Sequence, residues 1–194
     1  LPTFSGNTFT GVTQTVVAVS PGTYGSQAWA PIALGGMGPV PYLLQGGVTV
    51  NAGATLTIAG GTIVKFQQQA FPYSETGVRL IVNGSLVMQG STGNEVVFTS
   101  SRDDTYGGDS NGDGGLTVPS AGDWGGIRLN GPTAPFHHAV VRYGGLYAPY
   151  GLFQSGGAVE TWMLRITNGT CNVTDCTFQY CYGSGTALDY GAAS

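Results

Sequence analysis

Residues 48–66, with the sequence VTVNAGATLTIAGGTIVKF, decide the fold class. Three short apolar segments are separated by residues 51–54 (NAGA) and 59–61 (AGG). In the middle segment Leu56 and Ile58 alternate with threonines, which is the period of two expected of a β-strand with one buried face. Glycine and asparagine accept the backbone angles of tight turns. The stretch therefore predicts three short strands joined by tight turns.

The same pattern recurs along the chain. Residues 80–99 repeat it as LIV, SLVM and EVVFT, with a turn at Asn83-Gly84. Apolar alternation returns in three later pairs: Ile127 with Leu129, Val141 with Tyr143, and Leu164 with Ile166. Each pass takes roughly twenty to thirty residues, the scale of one solenoid coil that buries its apolar face by stacking on the next. No stretch carries a helical period, so we predict an all-β solenoid, with a β-sandwich as the alternative.

Composition supports an all-β chain and excludes several partners. Only 8% of the 194 residues are charged, whereas 34 are glycine and 41% are hydrophobic. Six scattered Lys and Arg residues and a net charge of −4 do not form a basic patch for nucleic acid. No apolar run reaches the ~20 residues of a membrane-spanning helix. The sequence begins at Leu1 without a signal-peptide pattern, as a processed secreted protein or an excised fragment would.

Four segments carry a resemblance to a known family. Residues 48–66, 82–86 (VNGSL), 97–100 (VFTS) and 122–127 (GDWGGI) resemble, in this order, secreted bacterial right-handed parallel β-helix repeat proteins of pectate-lyase-like architecture. The resemblance runs from about residue 45 to the end. It implies a right-handed parallel β-helix and an extracellular or cell-surface location. It implies little about activity, because most such proteins carry no demonstrated catalysis.

Residues 1–44 lie outside this resemblance and are predicted to form an N-terminal extended segment before a β-helix of residues 45–194. Residues 10–20 predict a strand, and the Pro- and Gly-rich residues 21–41 predict little regular structure. A solenoid has open ends that need covering. The segment is therefore expected either to cap its own end or to be donated as a strand to a neighbouring subunit. Residues 185–190 look like the start of a further coil strand.

Residues 109–114 (DSNGDG) match the first half of an EF-hand-type calcium loop, with oxygen ligands at alternate positions and glycine at the sixth. Position twelve is Ser120, so the usual bidentate glutamate is missing. The alternative is an Asp- and Gly-rich surface turn that needs no ion. We predict a structural calcium ion, with Asp104 as a further candidate and these ligands: Asp109, Asn111, Asp113, Asp123 and Asp103.

Three arginines suggest polysaccharide chemistry. Arg128, Arg142 and Arg165 each lie between apolar residues of a predicted strand and should point outward, where neighbouring coils would align them with Asp123 or Glu160 on one flank. A lyase needs a base and cations that hold a uronate carboxylate. The alternative is a set of solvated surface arginines. Aromatic residues that could stack on sugars without catalysis, or serve in packing, are Tyr143, Tyr147, Tyr150 and Trp162.

The remaining candidates concern covalent modification and the histidines. One local disulfide is expected among Cys171, Cys176 and Cys181, which lack the spacing of a zinc site. N-glycosylation sequons occur at Asn83, Asn168 and Asn172. Adjacent His137 and His138 would point to opposite faces of a strand and so could not bind one metal together.

These observations predict a non-catalytic structural module of an extracellular surface protein or self-assembling filament. Head-to-tail self-association would use the open β-helix ends or the N-terminal strand. Adhesion and fibre building are left open. The alternative function is a carbohydrate-active β-helix, either a glycan-binding module or a polysaccharide lyase.

Overall fold

The computed structural model describes residues 10, 14–34, 38–68, 77–131, 135–145, 162–167, 171–182 and 188–190. In these ranges the regular structure consists of short β-strands, and no helix is present. None of the described residues therefore belongs to a helix that could cross a membrane. The strands in chain order are β1 Val17–Val19, β2 Gly22–Tyr24, β3 Gln27–Trp29, β4 Ile32–Ala33, β5 Pro39–Val40, β6 Tyr42–Leu44, β7 Val48–Val50, β8 Thr55–Ala59, β9 Ile63–Phe66, β10 Arg79–Val82, β11 Ser85–Gln89, β12 Val96–Ser100, β13 Gly126–Leu129, β14 Phe136–His137, β15 Ala139–Arg142, β16 Leu164–Ile166, β17 Val173–Thr174, β18 Thr177–Gln179 and β19 Leu188–Tyr190.

The strands form parallel sheets that the chain visits in a fixed order. The first sheet has the order β1-β6-β9-β12-β15-β18, and the second has the order β2-β7-β10-β13-β16-β19. A third sheet contains β3-β8-β11, and the pair β14-β17 follows with β14 beside β11. Only β4 and β5 pair in antiparallel fashion among the named strands. The predicted all-β fold is confirmed. Along the chain, strands of the first, second and third sheets follow one another repeatedly in that order, which is compatible with a β-solenoid.

The register stacks like residues of successive passes on one another. Leu56 pairs with Leu86 and Ile58 with Met88 in the third sheet, and all four side chains are buried. The second sheet contains two rows of stacked apolar residues. One row consists of Leu80, Ile127 and Leu164, and the other consists of Val82, Leu129 and Ile166. A core of this kind is continuous from pass to pass, because each buried face rests on the equivalent residues of its neighbours.

The turns that follow the second sheet hold neighbouring passes together. The backbone N–H of Asn83 donates to Val50 O at 2.9 Å, and that of Asn130 donates to Val82 O at 2.8 Å. The Asn130 side-chain amide also donates to Asn83 Oδ1 at 2.8 Å. The polar groups at these turns are therefore satisfied between passes, which helps to fix the register of the flanking strands.

The N-terminal part of the chain is more regular than predicted. Residues 21–41 contain β2 to β5, so the expectation of little regular structure was wrong. The reason is tertiary: β2 and β3 take their backbone hydrogen bonds from β7 and β8, a contribution that local composition does not show. Of the predicted strand over residues 10–20, the structure describes residues 10 and 14–20, and β1 lies at Val17–Val19 among them. Strands on both sides of residue 44 belong to the same sheets, and the cap or donated-strand role of residues 1–44 stays a prediction.

Candidate functional site

A long connection covers the outer face of the first sheet. Leu43, Lys65 and Thr99 are register neighbours on β6, β9 and β12, and they face away from the apolar core. Such a row would normally meet water, yet Leu43 is 4% exposed and the other two are 0% exposed. Residues 101–125, between β12 and β13, bury this row, with Ser110 Oγ donating to Ser101 O at 2.7 Å inside the loop.

Lys65 is the most unusual residue beneath the loop. Its Nζ donates to Gly108 O at 2.7 Å. Burial lowers the pKa of Lys65 to about 8, although the carboxylates of Asp103, Asp104 and Asp109 act in the opposite direction. The ammonium is thus a built-in cation among the acidic residues of the loop.

Arg142, at the end of β15, is held by polar and aromatic groups together. Its Nη1 lies 3.2 Å from Asp103 Oδ2 and donates to Thr105 Oγ1 at 3.0 Å. Its Nη2 donates to Tyr143 OH at 3.0 Å. Asp103 also accepts a hydrogen bond from Thr99 Oγ1 at 2.6 Å. The loop is therefore tied to the sheet by a charge-assisted network.

Three tyrosine rings surround the Arg142 guanidinium. Its Cζ lies 5.3 Å from the ring centroid of Tyr106, 4.9 Å from that of Tyr143 and 5.6 Å from that of Tyr180, distances suited to cation–π attraction. Tyr143 and Tyr180 stack with centroids 4.8 Å apart and planes 7° apart. Both have positive φ, 60° and 58°, and Tyr180 is 57% exposed. The result is an exposed aromatic surface backed by a cation.

Two of the predicted calcium ligands organise the loop through its own backbone. Asp109 accepts hydrogen bonds from the N–H groups of Gly112 and Gly114, each at 2.7 Å. Asp113 accepts from Gly115 N–H at 2.8 Å and from the Asn111 side-chain amide at 2.8 Å. The pKa of Asp113 is lowered by the hydrogen bond from the Thr117 hydroxyl, the largest cause, and by backbone N–H groups that include that of Gly115. The carboxylates thus act as turn caps of the kind common in Asp- and Gly-rich loops.

The other two carboxylates of the predicted set lie in different surroundings. Asp103 faces Thr99 and Arg142, whereas Asp123 accepts from Ser100 Oγ at 2.6 Å and lies 3.7 Å from Arg102 Nη1. Burial raises the pKa of Asp123. Across the described ranges, no three His, Cys, Asp or Glu side chains are grouped so that they could hold a metal ion. Calcium binding by the five-residue set stays a prediction.

The expectation that three arginines share one flank was wrong. Arg128 and Arg165 are register partners on β13 and β16 of the second sheet, whereas Arg142 lies on β15 of the first sheet. The alternation of side chains along a strand predicts which residues point outward, but it does not predict to which sheet the strand belongs. Glu160 lies outside the described residues.

Trp162 serves in packing. It is 4% exposed, and its ring lies 5.6 Å from Arg79 Cζ and 5.7 Å from Arg165 Cζ. Tyr147 and Tyr150 lie outside the described residues. Sequence reasoning missed Tyr106 and Tyr180, because only the register of β15 and β18 and the path of the loop bring them to Arg142.

The cysteines and sequons are placed as follows. Cys171 is buried, while Cys176 and Cys181 are half-buried against the core, and no disulfide joins them within residues 171–182. Burial raises the pKa of Cys176 and of Cys181. Asn172 is exposed, Asn83 is half-buried in the turn described above, and Asn168 lies outside the described residues. The disulfide and the glycans stay predictions.

The two histidines do not point to opposite faces, so that expectation was wrong. His137 Nδ1 and His138 Nδ1 lie 2.9 Å apart. The alternation of a strand ends at His138, whose φ of 48° turns its side chain toward that of His137. Adjacent residues can converge when one of them leaves the extended conformation.

Comparisons of this chain with models of known families, with curated protein sequences and with solved structures found no match. The resemblance of residues 48–66 and the later segments to secreted β-helix repeat proteins therefore stays a prediction.

Proposed function

We propose that this chain is a right-handed parallel β-helix that serves as a structural module of an extracellular surface protein or filament. The observation that carries the proposal is the arrangement of the sheets. Among the described strands, five passes visit the three sheet positions in one order, and parallel pairing runs from β1 to β18 and from β2 to β19. Repetition of this kind builds a rod whose length grows with each pass.

The two ends of the rod are suited to stacking on one another. Among the described strands, β1 and β2 have a neighbour on one side only, and the same holds for β18 and β19. A cavity of about 430 Å³ opens beside the first pass, with apolar lining residues that include Val17, Trp29 and Ile32. A second copy placed head to tail would continue both parallel sheets. Such a contact joins two different surfaces of the same protein, and repeated contacts of this kind generate a fibre unless the copies close into a ring.

Two routes to such an assembly were predicted, end-to-end stacking and donation of the N-terminal strand. The pairing of β1 with β6 of its own chain favours stacking, because the strand already has an intramolecular partner. The low charged content, 8%, suits a surface of Thr, Ser and Gly that packs against copies of itself without strong repulsion.

We expect the protein to self-associate with increasing concentration in sedimentation-velocity experiments, run with and without calcium. Ala18 is the exposed central residue of β1. The backbone hydrogen bonds between β1 and the β6 side are made by Val17 and Val19, so the N–H of Ala18 faces away from β6. Ala18→Pro should therefore weaken association by removing an edge donor. The matched variant Ala18→Ser keeps the N–H and should associate like the parent. Sedimentation as a monomer at every concentration would contradict the proposal.

Glycan binding is the second candidate function, and the Tyr143–Tyr180 stack favours it. An exposed aromatic face accepts the C–H face of a sugar ring, and the polar groups beside it can orient the hydroxyls. We expect Tyr180→Ala to weaken binding to a responsive polysaccharide on a glycan array by about tenfold, the loss of about 1.4 kcal/mol. Tyr24→Phe is the control, because it changes a tyrosine of β2, on a different sheet. Equal binding by Tyr180→Ala and the parent, or no binding by either, would exclude this surface.

A further inference from the structure

We propose that His137 and His138 form a chelating site for a divalent transition-metal ion of tetragonal preference, Cu(II) or Ni(II). The two Nδ1 atoms lie 2.9 Å apart, and the rings are nearly perpendicular, with an interplanar angle of 88°. In the absence of metal, one Nδ1–H donates to the other Nδ1. When a metal ion binds, the imidazole that carried the Nδ1 proton takes its Nε2–H tautomer instead, so both rings stay neutral and each Nδ1 offers a lone pair to the ion.

The distance between the two Nδ1 atoms matches the distance between two ligand atoms in adjacent (cis) positions around a metal ion. With metal–nitrogen distances of about 2.0–2.1 Å, two nitrogens 2.9 Å apart subtend an angle of about 90° at the ion. That is the cis angle of square-planar and octahedral coordination, whereas a tetrahedral ion would need the nitrogens further apart. Water would fill the remaining positions. The geometry thus points to Cu(II) or Ni(II) over Zn(II).

Backbone conformation preorganises the pair. His138 has φ 48°, and its peptide is fixed on both sides: His138 N–H donates to Thr174 O at 3.3 Å, and His138 O accepts from Val96 N–H at 3.0 Å. The turn is thereby held between two neighbouring passes. A chelate formed on a fixed backbone loses less conformational freedom than one formed by two mobile side chains.

The surroundings favour a cation. The register of β12 and β15 places Glu95 beside His138, and the register of β15 and β18 places Asp175 on the other side. Both imidazoles are half-exposed, so an ion can reach them from solvent. The two carboxylates lie one strand away on either side and add negative potential around the pair.

The composition of the chain makes the site easy to test, because His137 and His138 are its only two histidines. We expect calorimetric titration with Ni(II) to give one ion per chain. Cu(II) should give an electron paramagnetic resonance spectrum with hyperfine coupling to two imidazole nitrogens. His137→Gln and His138→Asn should each lower the Ni(II) affinity tenfold or more, since each leaves a single imidazole. Asparagine is chosen at position 138 because it tolerates positive φ.

Two controls separate chelation from other binding. Glu95→Gln keeps both histidines and should lower the affinity by no more than a few-fold, through lost electrostatic attraction alone. Thermal unfolding of every variant without metal shows that the fold is intact. The proposal is overturned if the histidine variants bind Ni(II) within twofold of the parent, if the copper spectrum shows one nitrogen, or if one ion binds per two chains.

Discussion

Gly84→Ala is expected to destabilise the protein by about 3 kcal/mol or more, through a clash with the neighbouring pass. A Cβ at Gly84 would lie 2.0 Å from Ala54 O and 2.5 Å from Asn51 O. Both are backbone atoms of the preceding turn and cannot rotate away. The backbone must therefore shift, and the hydrogen bond from Ser85 N–H to Ala54 O, 2.8 Å long, would be strained with it. Equilibrium denaturation in urea measures the loss.

The matched control is Gly25→Ala, in the turn after β2. A Cβ there meets no atom within 4 Å. We expect its free energy of unfolding to stay within about 1 kcal/mol of the parent's, because the methyl group only restricts the unfolded chain. If Gly84→Ala were as stable as Gly25→Ala, the two turns would not pack as closely as described, and the stacking of successive passes would be in error.

The second large effect is a pH dependence that originates at Lys65. Its pKa is about 8 in the folded protein against 10.5 for an unperturbed lysine, because burial disfavours the charged form. Between these two values the unfolded chain binds more protons than the folded one, so the free energy of unfolding rises with pH. Below pH 8 both states carry the charge and the full cost of its burial is present. The total gain across this window is on the order of 3 kcal/mol.

The variant Lys65→Met isolates this contribution. Burial raises the pKa of Tyr42 and of Cys176, so these groups oppose the rise in the same alkaline range. They are unchanged in Lys65→Met, and the difference between the two pH profiles therefore reports Lys65. We expect the free energy of unfolding of the parent to increase relative to that of Lys65→Met as the pH rises above 8. Parallel profiles would mean that Lys65 is hydrated and that the loop of residues 101–125 does not cover it.

The sequence was sufficient for the strands between residues 48 and 100. The predicted alternation of Val141 with Tyr143 in one strand was wrong, because β15 ends at Arg142 and Tyr143 has φ 60°. Alternation at Leu56 and Ile58, with glycine and asparagine at the turns, correctly predicted β8, and the repeat of that pattern predicted β11. These signals are local, because strand period and turn chemistry depend on neighbouring residues alone. The all-β class followed from them.

The features that could not be predicted depend on contacts between distant residues. The short strands β2 and β3 exist because β7 and β8 pair with them, and Arg142 is separated from Arg128 by its sheet. Lys65 stands at an outward strand position that usually meets solvent, and only the path of the following loop buries it. His138 and Tyr143 adopt positive φ, which residue type alone does not reveal.

The most direct test of the proposed structural role is electron microscopy of the concentrated protein, taken to side-chain resolution. We predict filaments in which β1 and β2 of one copy continue the sheets that end in β18 and β19 of the next, at a strand spacing of about 4.7–4.9 Å. Isolated particles, or a chain in which β8 and β11 are not parallel neighbours, would contradict it.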